Sequence, residues 1–307
     1  MRGSERVFKD GAIQHIYQNT VDGFLIFYSV RDYLVFFTLL SIAARKYNVK
    51  ILGVCLMPDH IHILAIAGRK EDLSQFVCYY TSRFVLLYNP TVNRSGQFFR
   101  HSFGSAVKIN DKKSRSAIAY LYNNLVEKKL ADDVESGQWN FLQYAVRNNP
   151  FSTPLVSAKA RWPMRRALQM VRIHREQDLP LNYPLIERIT KQLNVMEKKQ
   201  LTDYVIQQYN CIDYPEVIKF FGSYDAMITA FNTTTGSEYD VREVHHKESD
   251  AIYHTITKYL LDHYPIVSVK DIFFLTEKER KNMAVNVARA TSAPWFQVAK
   301  YFHLPSS

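Results

Sequence analysis

Residues 55–67, CLMPDHIHILAIA, place two histidines one residue apart in a run that is otherwise almost wholly apolar. On a β-strand successive side chains alternate faces, so His60 and His62 share one side while Ile61 and Ile63 take the other. Two imidazoles one strand period apart can grip a single cation. A lone histidine in such a strand is an ordinary half-buried residue satisfied by hydrogen bonds; a pair on one face, just after a Pro-Asp turn, raises the ligand reading beside it. A third ligand is then required, and the neighbouring sequence does not supply it.

The segment 114–130, SRSAIAYLYNNLVEKKL, is where one can be sought. Ile118, Leu121, Tyr122 and Leu125 recur at i, i+3, i+4 and i+7 and define the buried stripe of a helix. Tyr120 and Asn124, four apart, project together from another side, with Glu127 beyond them and small Ala117 before. The chain has 20 tyrosines and most must simply pack. If the Tyr120 side faces the histidines, however, a phenol lies beside a metal held by two imidazoles and an amide, a set suited to phosphoryl transfer from tyrosine oxygen.

The elements that must position these residues follow from periodicity and punctuation. AIQHIYQNTVDGFLIFY (12–28) reads as β structure around a turn at Val21-Asp22-Gly23, and 29–48 as a helix. VKILGVCLMP and HIHILAIA are adjacent strands, 73–88 is a helix, GQFFRHSFGSAVKI a strand, and 114–130 the last helix of the set. The order β, α, β, β, α, β, α predicts a ferredoxin-like α+β domain, an antiparallel sheet with packed helices. Pro, Ser and Asn cluster at RNNPFSTPLVSAKARWP, which puts a boundary near residue 150 and divides the chain into 1–150 and an all-α part, 151–307. At its end, Thr276-Glu277-Lys278-Glu279 is a capping box opening a helix to about Arg289. A break at Thr291-Ser292 and a second helix in APWFQVAKYFHL give a helix-turn-helix pattern, its second helix a candidate DNA reader.

Composition narrows the partners. The 307 residues are 47% hydrophobic, enough for about two domains, and 39 Lys and Arg against 29 Asp and Glu give a net charge of +10. That balance favours polyanions, nucleic acid or anionic membrane. No run approaches a membrane span, and MRGSERVFKDG lacks a signal-peptide core, so an intracellular, cytoplasmic protein is expected, nucleoid-associated when on DNA. Cys55, Cys78 and Cys211 are odd in number and scattered, which predicts buried small side chains rather than a disulfide framework or metal clip. Arg100, His101, Lys108, Lys112, Lys113 and Arg115 bracket the fourth strand and the start of the Tyr120 helix, where phosphates would pass. A denser group, Lys159, Arg161, Arg165, Arg166, Arg172 and Arg175, surrounds Trp162, which can stack an unpaired base or serve as a core residue. His245 and His246 have no ligand spacing to any partner.

MPDHIHIL resembles the HUH motif, histidine-hydrophobe-histidine, of the single-strand DNA transposases. GQFFRHSFGSAVKI followed by AIAYLYNNLVEKKL is similar to the strand and "YxxxN" helix of REP-associated tyrosine transposases, and Gly137-Gln138-Trp139-Asn140 also has a counterpart there. The likeness covers roughly residues 12–145 and departs at Leu125, where many relatives carry proline. It implies His60, His62 and Asn124 as ligands of Mg²⁺ or Mn²⁺ and Tyr120 as nucleophile. It implies cutting and rejoining of single-stranded, hairpin- or palindrome-bearing DNA through a 5′-phosphotyrosine link, by a monomer or homodimer. A general base is not evident; Glu127 is the nearest candidate. Two other readings remain beside this one: a domesticated DNA-binding regulator without cleavage, and a metallohydrolase using water.

Overall fold

Strands Ile13–Asn19 (β1), Lys50–Leu56 (β2), His60–Ile66 (β3) and Gly104–Lys108 (β4) form one sheet in the order β2-β3-β1-β4, antiparallel throughout. Helices Val30–Lys46 (α1) and Lys70–Tyr88 (α2) make the crossovers, and Asp111–Glu127 (α3) follows β4. This is the α+β layout that the order of apolar segments predicts. The computed structural model describes residues 8–100, 103–108, 110–233 and 249–305. Beyond β4 the described elements are helical: α4 (Trp162–Glu176), α5 (Tyr183–Thr190), α6 (Val195–Tyr209), α7 (Tyr214–Lys219), α8 (Tyr224–Thr233), α9 (Ile252–His263), α10 (Glu277–Thr291) and α11 (Trp295–Phe302), with short 3₁₀ turns between.

The sheet separates two apolar cores, and strand parity decides which side chain enters which. Ile61, Ile63 and Ala65 of β3 join the core made with α1 and α2, whereas Leu64 joins a second core with Ile118, Leu121 and Tyr122 of α3. His60 and His62 share parity with Leu64 and so face α3. Ser29 and Asp32 form a capping box that starts α1, which is buried on nearly all sides because the sheet lies on one flank and α5 and α6 on the other.

The helical half is joined to this frame. Its apolar residues continue the α1 core, and Asp213 N donates to Ile51 O at the edge of β2. Buried Asp32 accepts from Tyr183 Oη at 2.8 Å and pairs with Lys270 Nζ, tying the start of α1 to two distant segments. Gly137 lets the 136–140 turn lie against α3: a Cβ there would come within 2.7 Å of Leu125 Cδ1.

Three expectations are corrected. Residues 24–27 are not a strand, because their amides are used elsewhere: Leu25 N donates to Lys300 O, and Ile26 N and Phe27 N to Pro58 O. Cys78 is exposed, since Leu73, Phe76, Val77 and Tyr80 form the buried stripe of α2 and leave it outside; Cys55 is buried. The helix pair α10 and α11 is present, with a left-handed Ser292 between them, but α11 is not offered to solvent as a reader. None of its residues is exposed; Gln297, Val298, Ala299, Tyr301 and Phe302 are buried, and Tyr28 Oη donates to Tyr301 O at 2.6 Å. No described helix is long and apolar enough to cross a membrane.

His303, just after α11, stacks on Phe24 at 4.6 Å, lies 4.5 Å from Phe273 and hydrogen-bonds Leu25 O through Nε2 at 3.1 Å. Burial pushes its pKa down to about 3, with Arg94, Arg280 and Lys270 adding to the effect. The folded chain therefore holds this imidazole neutral while the unfolded chain protonates it near pH ~6.5. Its contribution to stability is complete above that pH and is lost as pH falls toward 3, with a slope of up to ~1.4 kcal/mol per unit. Urea titrations of the parent and of His303→Leu across this window should show the shallower dependence in the variant; equal slopes would contradict the assignment.

Candidate active site

Antiparallel pairing sets Tyr17 opposite His62 and His15 opposite Leu64, so β1 and β3 present three histidines on the α3 face. The rings of His60 and His62 lie 4.9 Å apart and perpendicular. Asp59 Oδ1 is 2.6 Å from His60 Nδ1, and its other oxygen accepts from Lys300 Nζ at 2.9 Å. His62 Nδ1 is 3.0 Å from His15 Nε2, in a stacked pair with centroids 5.2 Å apart. Tyr120 meets both rings edge-on, 5.5 Å from His62 and 5.8 Å from His15, and is fully buried.

The neighbouring residues of α3 go elsewhere. Tyr122 stacks on Phe231 at 5.3 Å and donates to Leu52 O, and Asn123 donates to Phe231 O. Asn124 is buried one turn after Tyr120 and donates through Nδ2 to Tyr120 O at 2.8 Å. Glu127 is exposed at the end of the helix.

Charge at the site is controlled by these contacts. Burial acts to raise the pKa of Asp59, but His60 and Lys300 outweigh it and hold the carboxyl well below the usual range. As a carboxylate it can only accept, so His60 Nδ1 carries the proton and Nε2 has the lone pair. Burial, with His62 and Lys108 adding, pushes His15 well below its ordinary pKa and keeps it neutral. A neutral His15 can accept from His62 Nδ1–H, which leaves Nε2 of His62 unprotonated. Orienting partners on both Nδ1 atoms are the usual support for imidazole ligands, although among the described residues no group of three His, Cys, Asp or Glu forms around them. Asp250 is 8% exposed; burial, and after it the charge of Asp59, raises its pKa to about 6 against the opposing pull of His60, Lys128 and Lys300.

His15, Asp59, Asp250 and Lys300 are the residues that sequence reading missed at this site. Asp59 was legible in principle, being the residue before His60. His15 has the alternation of β1 as a signal, but only the β1-β3 register brings it to His62. Lys300 and Asp250 arrive from α11 and from the start of α9, which nothing local announces.

The basic residues fall into two groups. Lys112, Lys113 and Arg115 are exposed on the first turns of α3 and Arg100 is exposed before β4, while Lys108, placed by β4 alternation on the α3 side, is buried opposite Ile13. Arg161 is engaged by Glu197 at the start of α6 through Nε at 2.8 Å. Trp162 is 58% exposed with Arg166 over its ring at 5.4 Å, and Arg165 is exposed beside them. This second group sits on α4, which packs on α5 and α6 behind α1, across the sheet from α3. His101, His245 and His246 lie outside the described residues.

A family model described as "Transposase IS200 like" matches residues 29–124, a span from α1 to Asn124 that includes both β3 histidines and Tyr120. This segment is similar to the IS200-like transposases. The helices after α3 lie outside the match. Among solved structures, one described as the REP-associated tyrosine transposase bound to a REP hairpin is similar at 16% identity, with a TM-score of 0.42, over 48% of this chain and 86% of that one. No curated protein matches.

Proposed function

We propose that the chain is a DNA strand transferase that cuts and rejoins single-stranded, hairpin-bearing DNA through Tyr120, with Mg²⁺ or Mn²⁺ held by His60, His62 and Asn124. The observation that supports this reading is the contact of the Tyr120 ring with His62, 5.5 Å between centroids, on the face where His60 lies 4.9 Å from His62. Tyr120 oxygen forms a bond to phosphorus as the bond from phosphorus to the 3′ oxygen breaks. The leaving oxygen takes a proton and becomes a 3′-hydroxyl, and the DNA stays attached by a 5′-phosphotyrosine; attack by another 3′-hydroxyl reverses the step. A bound divalent cation supplies charge neutralisation at the phosphoryl oxygens. Asp59 and His15 hold the two imidazoles in orientation and tautomer. Because Tyr120 is fully buried, a phosphodiester reaches its oxygen only when the local packing opens.

The test is incubation with a single-stranded hairpin oligonucleotide and Mn²⁺, followed by denaturing electrophoresis. A label at the 3′ end of the strand should travel with the protein and a label at the 5′ end should not. Cleavage without an adduct would indicate water as nucleophile, and binding without cleavage would indicate a regulator. The helical half after residue 150 acts in this reading as a brace for the site.

Exposed Lys112, Lys113 and Arg115 serve as phosphate partners at the entrance. Replacing all three with alanine should weaken single-strand binding and flatten the plot of log K against log salt by about 2, since each phosphate neutralised on a single strand adds ~0.7 to the slope. An unchanged slope in fluorescence anisotropy titrations would remove them from the path.

A further inference from the structure

A cavity of about 470 Å³ opens next to the candidate active site and has no part in the strand-transfer chemistry. Pro58, the residue before Asp59-His60, lines it, and so does Leu125, the residue after Asn124. Its other walls come from three separate parts of the chain: 25–33, the 136–139 turn and the 250–257 segment. The size is that of a small-ligand site.

Two features indicate what it holds. The first is an aromatic stack: Phe27 and Tyr33 lie 4.4 Å apart at 17°, and Tyr33 and Trp139 4.0 Å apart at 5°. Tyr33 and Trp139 are half-buried in the cavity wall, while Ser136 and His254 are exposed at its rim. Such a column continues naturally into a planar π system. The second is Asp250, 8% exposed on the wall, whose carboxylate has no hydrogen-bond partner among the described residues. A carboxylate on the cavity wall that receives no donor from the described residues favours a ligand bringing N–H groups. It also repels phosphate, so the cavity is not a continuation of the backbone path.

We propose that this cavity receives one unpaired nucleobase flanking the scissile phosphate, stacked on the Trp139 column and read by Asp250, with guanine favoured. Guanine's N1–H and N2–H are adjacent donors that match the two oxygens of a carboxylate. The inference rests on the reading of the chain as a single-strand DNA-processing enzyme.

The experiment uses the full chain and a set of hairpin oligonucleotides in which each single-stranded position near the cleaved bond is in turn G, A, C, T or abasic. Affinity and adduct formation are measured on the same set. At one position guanine should bind about tenfold more tightly than the abasic site, within the range for a bidentate contact. Asp250→Asn, which replaces one acceptor with a donor, should lose that preference and move toward adenine; Trp139→Leu should weaken every base at that position while leaving the abasic oligonucleotide unaffected. A guanine preference that survives Asp250→Asn, or indifference of the parent to base identity at every position, overturns the inference even if the adduct forms. Loss of both adduct and binding in the parent overturns the strand-transferase reading, and this one with it. Thermal melting of the variants separates loss of reading from loss of fold.

Discussion

Tyr120→Phe should abolish the covalent protein–DNA species while leaving the fold and the affinity for single-stranded DNA close to those of the parent. The substitution removes one oxygen from a fully buried ring whose packing is made by its edges against His15 and His62. Phenylalanine keeps those edges, so the core on the α3 face stays filled. In the proposed reaction the bond to phosphorus is made at that oxygen. The expected loss is therefore complete within detection, and not a partial slowing. Tyr122→Phe is the matching control: that ring stacks on Phe231 and its hydroxyl donates to Leu52 O at 3.3 Å, so the change costs a buried hydrogen bond of ~1 kcal/mol and leaves the adduct intact. An adduct that persists in Tyr120→Phe and vanishes in Tyr122→Phe would exchange the two assignments.

How far the sequence could be read is decided by whether an arrangement is local. The parity of β3 is a property of seven consecutive residues, and it put His60 and His62 on the side opposite Ile61 and Ile63 before any packing was known. The order of strands and helices is likewise carried by local periodicity, which is why the antiparallel sheet with packed helices could be anticipated. Residues 24–27 look like a strand for the same local reason. Their amides find Pro58 and Lys300, the second of which is some 275 positions away in sequence, and no propensity records that. His15 shows the limit within the site. Its alternation was visible, but a register shift of one residue would have turned it away from His62. The amphipathic pattern of α11 likewise says that it packs, without saying on what; it packs beside the 24–28 segment and so carries Lys300 to Asp59.

That bond between Lys300 and Asp59 leads to the second large effect. Asp59→Ala should lower the affinity for Mn²⁺ by 10- to 100-fold, the usual scale for removing a partner that orients an imidazole ligand. It should also loosen the C-terminal helix. Asp59 joins two things: His60 Nδ1 at 2.6 Å and Lys300 Nζ at 2.9 Å, with side-chain exposures of only 18% and 20% for His60 and Lys300. Without the carboxylate, His60 loses the acceptor that fixes its tautomer, and a half-buried ammonium loses its counter-charge. Lys300→Met separates the two consequences, since it keeps the apolar stem that passes over Gly23, where a Cβ would meet Lys300 Cε at 3.0 Å, and leaves Asp59 with His60. In Lys300→Met, Mn²⁺ affinity should fall less than in Asp59→Ala, and amide exchange in 295–304 should accelerate in both. Equal Mn²⁺ affinities in the parent and Asp59→Ala would show that the carboxylate only anchors α11 and does not act on the imidazole.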